Sequence, residues 1–196
     1  MATLRGFRDY DEKDVLNLFA WSGSVPVNKG TLVKIQGDGF VPGAEIQEFL
    51  GNMGDFNPGG IVAQRYGVVP KVSAAGVSDI PLGILLFDVR EVDENGELLK
   101  YRPRKAAEME AVPSGLTVPI VTRGLFQYSG HIGTAVAGGK IYPGAGGVLS
   151  ANPTYTAPTI SGFSGVWTSG TNAVIGKFLS TTGADGSVVV LLNCNV

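Results

Sequence analysis

Apolar residues in this chain come in short runs, each soon closed by glycine, serine or asparagine. The most apolar runs lie at 80–89, 118–128, 174–179 and 187–192, and none is as long as an ordinary helix. They are rich in β-branched and aromatic residues, which is the composition of strands. The run at 118–128 is the one the others are organised around. It ends at Ser129-Gly130 and is interrupted by Gly124, which predicts a bulge or a close backbone approach. Further strands are predicted at 31–35, 61–63, 66–72 and 138–142. Turns are predicted at 36–39 and 182–186, where Asp185-Gly186 suits a hairpin. The pattern predicts an all-β, mainly β fold: a small glycine-rich β-barrel or sandwich forming one domain over 26–196.

Between the strands the pattern loosens. Residues 40–60 read as a surface loop holding at most one helical turn, at 44–50. A small-residue connector covers 73–78. Residues 106–113 form a short helical or extended bridge. Most of the charge sits at 86–105, where Asn95-Gly96 predicts a hairpin folding 86–93 back on 98–104. Cross-strand pairs of Glu91 with Lys100 or Arg102 would each add a few tenths of a kcal/mol, roughly. That hairpin is either a solvated arm or a projecting contact for a neighbouring subunit. A long Gly/Ser/Thr/Pro stretch follows at 143–173. Loops of that length are usually functional or mobile, and Tyr155, Ile160, Phe163, Val166 and Trp167 give this one anchors.

Residues 1–25 read as a separate N-terminal arm. Acids at 11–14 precede Val15, Leu16, Leu18 and Phe19, so a short helix is predicted, with Asp9 or Asp11 as its cap. Such a helix is marginal alone and needs a surface. It docks on its own domain or on a neighbouring subunit, or it frays. For the second reading the contact residues are Arg5, Phe7, Arg8, Tyr10, Phe19 and Trp21, the arginine and aromatic types that dominate interface energies. An arm of that kind could be deleted at 1–24 without unfolding the barrel.

Composition sharpens this picture. The 29 glycines in 196 residues are about twice the usual share, and they lack a triplet period, which excludes collagen. Charged residues make up 16% of the chain, against about 25% in typical soluble domains. A chain with so little charge and positive mean hydropathy has apolar surface to cover, in a core or against partners. A net charge of −2 gives no reason to expect nucleic-acid binding. No apolar run is long enough for a membrane-spanning helix, and the first residues lack the apolar core of a signal peptide. The single cysteine, Cys194, rules out an intrachain disulfide.

Candidate chemistry is sparse. His131 is the only histidine and follows turn residues, so it reads as a loop side chain. Cys194 has no second thiol beside it for a metal cluster and no nucleophile motif. Residues 144–147 lack the lysine and hydroxyl of a phosphate loop. The acids at 93–97 lack the spacing of a calcium loop, and on a hairpin tip they would stay ionised, with no proton to give. An enzyme would need a cleft gathering several acids. The expectation is therefore no catalytic residue, no cofactor and no metal site.

The runs from Gly30 to Ile35, Pro81 to Phe87, Thr122 to Phe126, Gly139 to Tyr142, Ile175 to Leu179 and Gly186 to Leu192 resemble, taken together, a head decoration (cement) protein of tailed bacteriophages. The charged hairpin and the long loop make this chain larger than the smallest such proteins. The resemblance implies a structural virion protein on the outer surface of an icosahedral capsid, made in the host cytoplasm. Its implied partner is the major capsid protein, whose neighbouring subunits it would clamp, and it would form a homo-oligomer, with a trimer favoured. No nucleic acid and no membrane is implied. The competing reading is another virion or surface module, a fibre base or carbohydrate-binding sandwich, with Trp21, Tyr155 and Trp167 lining one groove.

Overall fold

The computed structural model describes residues 3–6, 14–37, 39, 70–113, 115–153 and 173–194. The fold is all-β. In chain order the strands are β1 (Thr3–Gly6), β2 (Val15–Trp21), β3 (Leu32–Gln36), β4 (Lys71–Ala74), β5 (Gly83–Leu85) and β6 (Asp88–Val89). A short helix α1 (Pro103–Glu108) precedes β7 (Ala111–Val112), β8 (Thr117–Val121) and β9 (Arg123–Ser129). Then come β10 (Lys140–Pro143), β11 (Leu149–Ser150), β12 (Gly176–Phe178) and β13 (Ser187–Asn193). Five strands close a barrel in the order β2-β4-β3-β5-β8. Six others make a sheet in the order β1-β9-β13-β12-β10-β11.

In each of three barrel strands, β3, β5 and β8, two adjacent residues are buried because both faces are covered there. Successive strand residues point to opposite faces. Val33, Leu85 and Ile120 point into the barrel with Phe19, Trp21, Val72 and Val118. Their chain neighbours Leu32, Ile84 and Val121 join a second core. That second core is completed by the inward side chains of the sheet, among them Phe126, Tyr128, Ile141, Phe178, Val190 and Leu192. One wall of the barrel thus serves two cores. Burying a large aliphatic side chain is worth about 1.5–3 kcal/mol, so a wall filled on both faces gains twice per strand.

The run at 118–128 is two strands rather than one. β8 belongs to the barrel and β9 to the sheet, and Thr122 is the crossing point. Its buried backbone is satisfied on both sides: the Thr122 N–H donates to the Asp14 carbonyl, and its own carbonyl accepts from Cys194 N–H, both at 2.9 Å. At Gly124, just beyond, φ is +152° and a Cβ would stand 2.7 Å from the Phe126 ring. The predicted close approach is there, but a side chain makes it. The run at 80–89 also splits, into β5 and β6.

The predicted N-terminal helix is corrected. Val15–Trp21 is a strand, antiparallel to β8 (Phe19↔Val118) and parallel to β4 (Trp21↔Val72), with an irregularity between Leu16 and Phe19. The irregularity shifts the face that points inward, which produces the spacing that resembled a helix stripe. A lone ten-residue helix gains little, whereas a strand here closes the barrel and removes two open edges. β1 likewise pairs with β9 and puts Leu4 in the second core. The described N-terminal residues are parts of the body, so the reading of 1–25 as a detachable arm does not hold for them. The predictions at 40–60, 61–69 and 154–172 fall outside the described residues.

The charged hairpin is half as predicted. The turn at Asn95-Gly96 is present: Val92 bridges Leu98, Asp93 N–H donates to the Glu97 carbonyl, and Gly96 has φ 81°. The return leg is a 3-10 turn (Leu99–Tyr101) and α1, because Pro103 sits where a helix tolerates it, in its first turn. Leu99, Ala106 and Ala111 give this excursion a small core of its own.

Candidate functional site

The six residues proposed as contacts separate into three groups. Phe19 and Trp21 are buried in the barrel core, and the Trp21 indole N–H donates to the Ser24 carbonyl at 3.1 Å. They are core side chains, because the strand that carries them needs them to fill the barrel. Arg5 is exposed on β1. Phe7, Arg8 and Tyr10 lie outside the described residues.

The excursion at 88–110 holds most of its charges in local pairs, with Glu91, Lys100, Arg104 and Glu108 outside any ion pair among the described residues. Arg102 takes Glu97 through both carboxylate oxygens, at 2.5 and 2.6 Å, and Lys105 takes Glu94 at 2.6 Å. These replace the predicted pairs of Glu91. Asp93 accepts from the backbone N–H groups of Asn95 and Glu97 at 2.8 and 2.9 Å, and these bonds, the Glu97 one foremost, hold its carboxyl below the ordinary range. The Lys105 ammonium does the same for Glu94, and Glu94 in turn raises Lys105. Nearby, Asp88 accepts from Arg90 at 3.0 Å and Lys29 reaches Glu110 at 2.5 Å. Among these charges Val92, Leu98 and Tyr101 are left exposed, with Lys100 over the Tyr101 ring.

The outer face of the six-stranded sheet is different in kind. Pairing of Leu125 with Leu191, Leu191 with Lys177, and Lys177 with Lys140 sets four side chains in one cross-strand row. At the usual strand spacing that row spans about 14 Å. Val189 lies opposite Gln127 in the neighbouring row, and Leu179 continues it through its N–H bond to the Val189 carbonyl. Arg123 stands opposite Asn193 at one end. Arg123, Lys140, Lys177, Leu179 and Leu191 are all exposed. Among the described residues none of the three cations makes an ion pair. The signal for this face lies in the sequence: from Ala111 to Val196 the chain holds one acid, Asp185. That acid sits in the β12–β13 turn, where Ser187 hydroxyl and N–H groups bind its carboxylate and lower its pKa.

The remaining titratable groups are held in structure. The Tyr128 hydroxyl lies in the second core, accepts from Leu149 N–H at 3.3 Å, and is pushed by burial to about 12. Burial likewise pushes the Cys194 thiol to about 12, which keeps it from acting as a thiolate. His131 Nε2 is 3.0 Å from the Thr182 hydroxyl, its buried Nδ1 has no partner among the described residues, and burial lowers its pKa and favours the neutral ring. Among the described residues no three His, Cys, Asp or Glu side chains are grouped to hold a metal ion, and no helix is long and apolar enough to cross a membrane. No family model, curated protein or solved structure was found to match the chain.

Proposed function

We propose that this chain is a structural, non-enzymatic virion protein that binds the outside of an icosahedral phage capsid and clamps neighbouring major capsid subunits. One observation carries the proposal: exposed apolar side chains stand on two separate elements of the fold. Leu179 and Leu191 are on the sheet, and Val92, Leu98 and Tyr101 are on the excursion rooted at the barrel. A clamp needs two contact surfaces held at a fixed separation, because linked weak contacts raise avidity without a single strong site. A protein that binds only the assembled shell then opposes its bursting by mass action. The competing aromatic-groove reading loses one of its three side chains, since Trp21 is inside the barrel.

The test is addition of purified protein to shells of the encoding phage prepared without it. Saturable decoration in cryo-electron microscopy, with a raised bursting temperature, is expected. Bare shells at high protein concentration would end the proposal.

A further inference from the structure

We infer that the outer face of β9, β13 and β12, extended by Lys140 of β10, is a docking surface for another protein that presents carboxylates around an apolar patch. This deepens the capsid-binding reading and rests on it for the identity of the partner. Leu125, Leu191 and Val189 form an aliphatic centre, and Arg123, Lys177 and Lys140 stand at its margin. An aliphatic centre with a charged margin is how protein interfaces are built. A phosphate backbone would instead require a broad basic footprint with stacking aromatics, whereas this face is centred on aliphatic side chains. The margin holds no described acid, so the cations need an outside counter-charge.

A second copy of this chain is a weaker source of that charge, because only Asp14, Glu91 and Glu108 among its ten described acids have a carboxylate outside an ion pair or hydrogen bond. Among the described acids, Asp79, Asp88, Glu94, Glu97 and Glu110 already pair with cations of their own chain. Asp93 and Asp185 are taken by backbone and hydroxyl donors. A surface whose carboxylates are unspent fits better, and charge complementarity of this kind sets encounter rate and register more than final affinity.

The experiment uses the full chain with Arg123→Glu, Lys140→Glu and Lys177→Glu combined. A control adds acids on the barrel instead, with Lys71→Glu, Gln36→Glu and Thr117→Glu. All are read against three probes: shells of the encoding phage, poly-L-glutamate and double-stranded DNA. Like charge set against like charge should weaken shell binding by about a hundredfold, with the control close to the parent. Parent binding should also fall as salt rises. If the triple reversal fails to fold, the Arg123→Gln, Lys140→Gln, Lys177→Gln chain replaces it, with a loss of about tenfold expected. Shell binding that survives reversal overturns the inference and leaves the capsid reading intact. A parent chain that ignores shells but holds poly-L-glutamate through these three cations ends the capsid reading and keeps the docking face. Tighter binding to DNA than to poly-L-glutamate, or self-association in sedimentation that reversal abolishes, overturns it in favour of a nucleic acid or a second copy.

Discussion

The barrel and the six-stranded sheet are built from similar residues, yet they spend them differently. In β3, β5 and β8 two adjacent residues per strand are both excluded from solvent, one in each core. In β13 burial alternates along the strand, and Leu191 is exposed beside a buried Leu192. A strand covered on both faces reads as a continuous apolar run, and a strand covered on one face alternates. The exposed apolar residues of β12 and β13 therefore sit on a face that the body leaves open, whereas the barrel has no such face at β5.

The strongest way to break this comparison is to remove residues 1–24. That deletion takes out β1 and β2, so the barrel opens and both cores lose side chains. The expected product lacks near-ultraviolet circular dichroism and a cooperative melt. A folded remnant would show that β2 is dispensable.

Paired alanine substitutions sharpen it. Ile84→Ala and Leu85→Ala should each cost about 2–5 kcal/mol in chemical denaturation, because both neighbours fill a core. In β13 Leu192→Ala should cost a similar amount, while Leu191→Ala should stay within about 0.5 kcal/mol. Equal costs at 191 and 192 would mean the outer face is covered.

Much of the fold was legible in the sequence, and the exceptions have physical causes. β3, β12 and β13 stand out as short apolar runs closed by turn residues, and the Asn95-Gly96 turn follows from its chemistry. The break at Thr122 carries no glycine or proline, because the change is one of partner sheet rather than of backbone type. β2 imitates a helix through its irregular face and its acidic lead-in. The return leg of the excursion is helical where a strand was expected, although Pro103 was a readable signal for a helix start. The docking face was missed because its signal is an absence of acids over the last 86 residues, set against a modest overall charge of −2.

A smaller effect concerns the buried polar link inside the sheet. Tyr128→Phe leaves the Leu149 N–H without its acceptor and should cost about 1–3 kcal/mol. No change on denaturation would mean that water takes the place of the hydroxyl.

The smallest expected effect is in acid. Asp93 and Asp79 have carboxyls held below the ordinary 3.8 by hydrogen bonds. Their contribution is complete above that value and is lost as pH falls below it toward the folded values. Asp93→Asn should flatten the acid limb of a stability–pH curve below pH 4, roughly, and leave the neutral region parallel to the parent. An acid limb identical to the parent's would mean that the turn does not depend on the carboxylate.

The central claim, that the open sheet face is where this molecule docks, is tested most directly by lysine acetylation of free and shell-bound protein, read by mass spectrometry. The account predicts that Lys140 and Lys177 lose reactivity on binding while Lys71 does not. Full reactivity at Lys140 and Lys177 in the bound state, with protection confined to other lysines, would contradict it.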